Sequence, residues 1–170
     1  MSINRFRHSE EGVMELPFKL LIMMLLIGLV VPTVLIGYRG VSRMRYDDKI
    51  KGEVRDIIAY SRKLVQEGDM SSMTIELDLK GDVFSGIDYL DVGDSLGERD
   101  WMVNYRLSWK ESEEYISAID PVIHLTSPDN ETYRLTEGIH ELKLTHIFNE
   151  ETSFIVMSEV GEDIDPSRFN

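Results

Sequence analysis

The four histidines are the side chains in this cysteine-free chain that are best suited to acid–base or metal chemistry. They are His8, His124, His140 and His146. The last two lie in one strand-like segment, so they share a face but stand about 20 Å apart at about 3.3 Å per residue. They cannot share a metal ion without a bulge in the strand. We therefore expect solvent-facing strand residues and no metal site.

A group of carboxylates is the second candidate, because calcium takes about six to eight oxygen ligands. Its members are Asp88, Asp91, Asp94, Glu98 and Asp100. Their spacing fits no EF-hand loop, so we expect a solvated acidic face. The sequence also lacks a P-loop, an HExxH motif and a serine within GxSxG. We predict neither an enzyme nor a bound cofactor.

Three aromatic side chains could form an exposed adhesive surface, but their spacing favours a different interpretation. Trp101, Tyr105 and Trp109 fall on one face of an alternating segment together with two aliphatic residues. We therefore expect them to pack in the core. A candidate modification site is Asn130, which begins an Asn-Glu-Thr glycosylation sequon in a predicted turn. A chance match is the alternative.

The elements that must carry these residues follow one long apolar segment, residues 20–37, whose only polar side chain is Thr33. A helix needs roughly 20 mostly apolar residues to cross a bilayer, so this apolar segment is predicted to span a membrane. Pro32 should kink or loosen the helix, because it removes a backbone hydrogen bond. We expect the bilayer to be a partner of the chain.

The flanks of the apolar segment bear on export and orientation. No small-x-small cleavage site follows it, which argues against a secretory signal peptide. Arg39, Arg43 and Arg45 follow instead, as in a stop-transfer flank. The count of positive residues slightly favours a cytoplasmic side for the C-terminal part. That count runs against the extracellular head domain expected below.

Beyond the apolar segment, apolar residues recur every three or four positions over residues 41–67, which predicts an amphipathic helix with one apolar stripe. The simplest interpretation is one helix over 13–67. From residue 71 the period becomes two, as in Met73, Ile75 and Leu77, and turn signals separate seven or eight short strands. The predicted fold is α+β: a long apolar-to-amphipathic N-terminal helix packed on a small antiparallel β-sandwich-like head domain.

The predicted organisation is a leader-like cytoplasmic head, a long helix, a β-rich head domain and a loose acidic tail, over residues 1–12, 13–67, 71–160 and 161–170. The formal net charge is −13, and almost all of the excess lies after Gly37. Such a surface repels nucleic acid, which needs a basic footprint. We expect no nucleic-acid partner.

The N-terminal residues EEGVMELPFKLLIMMLLIGLVV, followed by an amphipathic helix, resemble the class III signal sequence of archaeal type IV pilin-like proteins and archaellins. The resemblance implies that a prepilin-type membrane peptidase cuts just ahead of the helix on its cytoplasmic side. It also implies an assembly platform that moves the helix into a filament core. There the carboxylate at the matching position, Glu15, is expected to pair with the new N-terminal amine of a neighbouring subunit.

The position of the cut stays open. A cut after Gly12 makes Val13 the first residue and Glu15 the third, whereas the family usually has the glutamate fifth. A fifth position would need a cut between Glu10 and Glu11, where no small residue precedes it. Glu15 could instead lie at the membrane surface and complement the helix N-terminus.

The resemblance predicts a pilin-like structural subunit, major or minor, of an archaeal type IV-type surface filament. Its partners would be copies of itself or other pilin-like subunits, and its head domain would lie outside the cell. The alternative is a single-pass membrane protein with an extracytoplasmic β domain for binding or sensing that never polymerises.

Overall fold

The computed structural model describes residues 8–93, 100–118, 122–149, 152–162, 164–165 and 169, with side chains from residue 17 onward. Its elements are α1 (His8–Glu67), β1 (Ser72–Asp78), β2 (Ile87–Val92), β3 (Met102–Leu107), β4 (Glu114–Ser117), β5 (His124–Thr126), β6 (Tyr133–Leu135), β7 (Ile139–Asn149) and β8 (Thr152–Glu159). The chain divides into two compact units, Met1–Val41 and Ser42–Asn170. We call the second of these the head unit.

The part of the first unit that the structure describes is helical. Its described side chains, from Pro17 to Val41, are all exposed to solvent. Helix α1 contains both Pro17 and Pro32 without interruption, so the bend expected at Pro32 stays a prediction. Next to Pro32, the Thr33 hydroxyl donates a hydrogen bond of 2.8 Å to the Leu29 carbonyl, one helical turn earlier. Serine and threonine side chains commonly supplement backbone bonding in this way near prolines of apolar helices.

The head unit contains two four-stranded sheets, which confirms the predicted α+β class. One sheet has the strand order β1-β7-β8-β5 and the other β4-β3-β2-β6. Their neighbouring strands are antiparallel, except that β5 runs parallel to β8. Strands β7 and β8 form a hairpin, with Asn149 opposite Thr152.

The second half of α1 supplies one side of the core. Its buried residues recur at helical spacing: Tyr46, Ile50, Val54, Ile57, Ile58, Ser61 and Leu64. The apolar members of this stripe belong to one hydrophobic cluster with residues of both sheets, such as Leu77 of β1 and Val103 of β3. The predicted packing of the amphipathic half on the β domain is therefore confirmed, and helix and sheets share one core.

The C-terminal residues differ from the loose tail that the sequence predicts. Phe169 is buried and clusters with Ile147 and Val156, and Ile164 packs against the same group. The Asn149 side-chain amide also donates a hydrogen bond to the Phe169 carbonyl. Burial of a large aromatic ring outweighs the acidic composition of this segment, so its end is attached to the sheet.

Replacing Ile57 by Asp should prevent the head unit from folding. Ile57 has no exposed surface, and an unpaired carboxylate among apolar side chains costs several kcal/mol. That is comparable with a whole domain's stability of roughly 5–15 kcal/mol. Near-ultraviolet circular dichroism and thermal unfolding of the full chain in detergent micelles measure the effect.

The matched control is Ala59→Asp, which introduces the same carboxylate on the exposed face of the same helix. Its unfolding free energy should stay within about 1 kcal/mol of the parent, the range of helix propensities. An Ile57→Asp chain that melts like the Ala59→Asp chain would show that the stripe does not hold the head unit together.

Candidate functional site

The most distinctive surface of the molecule is the apolar one on the first half of α1. Between Phe18 and Ile36 its large apolar side chains are 42% to 73% exposed, on every face of the helix. By length and composition the helix can cross a membrane, and its most apolar window has a mean hydropathy of 2.8. A helix that is apolar on every face needs lipid or protein around it, because contact between so much apolar surface and water is unfavourable.

The character of α1 changes near Ser42. Up to Val41 every described side chain is exposed, whereas Tyr46 is 5% exposed and Ile50 is fully buried. One helix therefore carries two kinds of surface, the first without a buried side and the second with a single buried stripe. This change is the feature of the site that the sequence predicted through its switch from a continuous apolar run to helical spacing.

The three residues predicted for processing and assembly lie near the start of α1. Gly12, Val13 and Glu15 fall within the helical range that begins at His8. Their side chains lie outside the described residues, so the roles suggested by the resemblance stay predictions. The same holds for the open choice between the two cleavage positions.

A charged network ties α1 to the β3–β4 connection. The Lys110 ammonium lies 3.0 Å from an Asp47 oxygen and also donates to Glu114. Lys51 lies 3.1 Å from Asp47 and 3.4 Å from Glu114, and the Tyr105 hydroxyl donates to Glu114 at 2.9 Å. The hydrogen bond from Lys110 lowers the pKa of Glu114, against the opposing effect of burial. This network is a structural clamp, because two lysines and two carboxylates from α1, the β3–β4 connection and β4 contact one another.

A buried carboxylate and an imidazole form a pair that the sequence did not predict. His124 Nδ1 lies 2.7 Å from an Asp100 oxygen, and Asp100 is only 2% exposed. Pairs of this kind orient histidines in catalytic and zinc sites. Among the described residues no group of three histidine, aspartate or glutamate side chains is placed to hold a metal ion. The pair joins β5 to the start of β3, where the Leu125 amide also donates to the Asp100 carbonyl at 2.6 Å.

The proposed acidic face is only partly correct. Asp88 is exposed and pairs with Arg106 at 2.8 Å, but Asp91 is buried and accepts two hydrogen bonds from Arg134, at 2.7 and 2.6 Å. Asp100, as described above, is also buried. The expectation of solvated carboxylates is therefore wrong for Asp91 and Asp100. The Arg134 guanidinium compensates for the burial of Asp91, and the His124 ring makes a hydrogen bond with Asp100. Asp94 and Glu98 lie outside the described residues.

The expectation of solvent-facing histidines is wrong for His146. This residue is 3% exposed, and its Nδ1 lies 2.8 Å from the Gly68 carbonyl just after α1. The backbone of His146 also bonds to Met70 and Ser71, so it anchors the segment that leads from α1 into β1. His140 is half-buried, with Nε2 2.8 Å from the Thr136 carbonyl. The two histidines serve different local contacts.

Two of the three aromatic residues, Tyr105 and Trp109, pack inward as predicted. Tyr105 is 1% exposed, and Trp109 packs against the core with its ring 5.9 Å from the Tyr46 ring in an edge-on arrangement. The Arg43 guanidinium lies over the same Trp109 ring, 5.5 Å from its centroid. Trp101 is half-buried.

The turn that contains Asn130 gives this residue a conformational role. Its φ angle is 60°, in the left-handed region that asparagine tolerates better than most residues. The Asn130 amide donates to the Ser127 carbonyl at 3.0 Å, and the Glu131 amide donates to the Ser127 hydroxyl at 3.0 Å. The residue is thus accounted for by the turn itself, and its modification stays a prediction.

Comparison of the chain with known protein families, with curated proteins and with solved structures gives no significant match.

The Glu114 carboxylate should make the head unit sensitive to acid. Its folded pKa lies below the ordinary value of 4.5, so its contribution is fully present above that value and is lost as the pH falls through the folded pKa. Glu114→Gln should lower the unfolding free energy near neutral pH by about 1 kcal/mol and flatten its fall below pH 4.5. Denaturant unfolding of the full chain between neutral and acidic pH measures both effects.

The matched control is Glu111→Gln, which removes the same charge from an exposed position in the same connection. We expect this variant to keep the parent's dependence on pH. If both variants show one slope, Glu114 is not the group that titrates.

Replacing Asn130 by Ala should destabilise the head unit by about 1 kcal/mol, since alanine lacks the short polar side chain whose local hydrogen bonds let asparagine adopt the left-handed region. Asn130→Gly should be nearly neutral, because glycine adopts the left-handed region freely. Thermal unfolding compares the two variants, and equal melting would contradict the conformational role.

Both changes also remove the sequon, as does Thr132→Ala. A mass decrease shared by all three variants in the native host would therefore report a glycan.

Proposed function

We propose that this protein is a pilin-like structural subunit, major or minor, of an archaeal type IV-type surface filament. The observation that carries the proposal is the change of surface along α1. Apolar side chains are exposed on every face between Phe18 and Ile36, whereas a single buried stripe begins at Tyr46. A subunit that joins others through one half of a helix and carries a folded head on the other half needs this division.

The apolar half of the helix then has two environments. Before assembly lipid surrounds it in the membrane, and after assembly the same helix of neighbouring subunits surrounds it in the filament core. Both environments remove about the same apolar surface from water, and lipid chains are as apolar as leucine side chains. Transfer between them is therefore nearly balanced, so an assembly platform can tip it.

Glu15 supplies specificity in this proposal. A carboxylate at the start of an apolar helix is costly unless it is paired. Pairing with the new N-terminal amine of a neighbour would satisfy both charges and fix the register of adjacent helices. That amine exists only after a prepilin-type peptidase has removed the leader, which links processing to assembly.

The first test is the intact mass and N-terminal sequence of the mature protein, combined with electron microscopy of the source cell surface. We expect an N-terminus at Glu11 or Val13 and filaments that contain the chain. An intact N-terminus at Met1 or Ser2 without filaments would contradict the proposal. That result would favour a single-pass membrane protein whose extracytoplasmic β domain binds or senses without polymerising.

The second test replaces Glu15 by Gln in the native host. The processed subunit should persist in the membrane, while filaments decrease by about tenfold or more, as expected if each subunit loses about 1.4 kcal/mol of joining energy. The control is Glu67→Gln, the same change in the last turn of α1, where the side chain is exposed and pairs with Lys63 at 3.6 Å. Equal filament numbers in the two variants would exclude the assembly role of Glu15.

A further inference from the structure

Strand β1 lies at one edge of the first sheet, and its neighbour on the other side is β7. The Leu79 amide donates a hydrogen bond of 2.7 Å to the Gly138 carbonyl, just before β7. At the opposite end, the Ser71 carbonyl accepts a hydrogen bond of 2.8 Å from the His146 amide. In an antiparallel pair, alternate residues direct both their amide and their carbonyl towards the partner strand. Odd-numbered residues of 71–79 therefore face β7, and the even-numbered ones face the open edge.

The chain's own helix caps one end of this open edge. The Asp78 backbone amide donates a hydrogen bond to the Glu53 carboxylate of α1. The backbone groups of Ser72, Thr74 and Glu76 face the same edge, and no strand in the described part of the chain pairs with them there. Unpaired amides and carbonyls of this kind are a template for a further strand. The edge is thus open from Ser72 to Glu76 and closed at Asp78.

A groove separates the open edge from α1. It has a volume of about 230 Å³, and its lining residues are Glu53, Asp56 and Tyr60 of α1 and residues 73–77 of β1. Tyr60 is 39% exposed, and a tyrosine ring can contact a cationic side chain through its face. A strand edge beside a lined groove suits an extended segment, because backbone bonds give affinity and the groove selects side chains.

The side chains around the groove are acidic. Glu53, Asp56 and Glu76 contribute three carboxylates, and none of the lining residues is basic. Burial raises the pKa of Glu53 above its usual value, against the effect of the bond from the Asp78 amide. Glu76 also lies directly opposite Glu141 on β7, and like charges in this position destabilise a sheet. A cationic group beside the open edge would oppose both effects.

Two lysines lie close to β1 without lining the groove. Lys49 pairs with Asp78 at 2.8 Å, at the capped end of the edge. Lys143 lies opposite Thr74, on the β7 side of the strand. The groove therefore has no positive charge in its own lining to balance the three carboxylates.

We propose that the open edge of β1 binds an extended segment of a partner protein, with lysine or arginine side chains that contact Glu53, Asp56 and Glu76. The partner strand would pair with residues 72–76 and end where Glu53 occupies the Asp78 amide. A basic partner fits better than a second copy of this chain, whose net charge is −13. Such a site would serve a filament subunit and a membrane-held protein alike.

The first test adds a short synthetic peptide of alternating lysine and valine to the full chain in detergent micelles. Fluorescence anisotropy should show saturable binding that weakens several-fold at high salt, because salt screens the charges. Hydrogen exchange of the Thr74 and Glu76 amides should slow several-fold, whereas that of the Asp78 amide should not change. The same peptide with methylated backbone nitrogens keeps its charge but cannot pair fully, so it should bind several-fold more weakly.

The second test changes the edge itself. Thr74→Pro removes an amide that faces the groove and no bond to β7, and proline is tolerated on the open side of an edge strand. We expect peptide binding to be lost while thermal unfolding stays the same. The matched control is Thr74→Ala, which keeps the amide and should bind like the parent.

A third comparison tests the charges around the groove. A double variant with Asp56→Asn and Glu76→Gln should bind the peptide several-fold more weakly. The control is Glu111→Gln, which removes an exposed carboxylate from the β3–β4 connection and should bind like the parent.

Several results would overturn the edge site. The first is an absence of peptide binding. The second is binding that leaves the exchange of Thr74 and Glu76 unchanged or persists in Thr74→Pro, since this would indicate adsorption to an acidic surface. If Thr74→Pro fails to fold, equal binding of the methylated and unmethylated peptides to the parent chain would overturn it instead. Protection of the same amides in the chain alone, increasing with its concentration, would assign the edge to a second copy and also overturn the basic partner.

Discussion

The stripe of buried side chains on the second half of α1 is the constraint on which the head unit depends. From Tyr46 to Leu64 these side chains recur every three or four positions, so they form one continuous line on one face of the helix. Residues of both sheets join the same cluster. The inward faces of both sheets pack into this one cluster, while a smaller cluster on β7 and β8 contains Ile147, Val156 and Phe169. Removing the helix would expose apolar surface on both sheets at once.

Apolar contact of this kind is not directional, so polar contacts determine how the strands are placed along the helix. The Tyr46 hydroxyl bonds to the Leu79 carbonyl, and Lys49 pairs with Asp78, which together fix the end of β1. On the other side of the helix, the Asp47–Lys110 pair fixes the connection that follows β3. These contacts come from one short stretch of α1, one turn after the change of its surface. The register of both sheets is thus set near the Ser42 end of the head unit.

Much of this architecture could be predicted from the sequence, because its signals are local. The switch from helical spacing to alternation after residue 67 locates the boundary between α1 and β1, and the alternating residues Met73, Ile75 and Leu77 lie in β1. The contacts of individual polar residues could not be predicted. His146 is buried against Gly68, and Asp91 against Arg134, across 78 and 43 residues of chain. A short pattern does not show which distant residue compensates for burial, so such side chains look solvent-exposed in the sequence.

Phe169 illustrates the same limit at the C-terminus. Nothing in an acidic, aperiodic sequence predicts an ordered segment. Its attachment depends on an apolar site formed by Ile147 of β7 and Val156 of β8. The sequence predicts which residues form the strands, but the outer face of the sheet becomes an apolar site only once β7 and β8 pair.

The division of α1 also explains how one helix could serve two environments in the proposed function. Among the residues that the structure describes, the core of the head unit begins at Tyr46 and uses no side chain from the apolar segment. The apolar segment can therefore exchange lipid for neighbouring helices without any change in the packing that keeps the head folded. If the buried stripe extended into the apolar segment, transfer into a filament would compete with folding of the head. If the protein assembles as proposed, the separation near Ser42 would make assembly and folding independent free-energy balances within one helix.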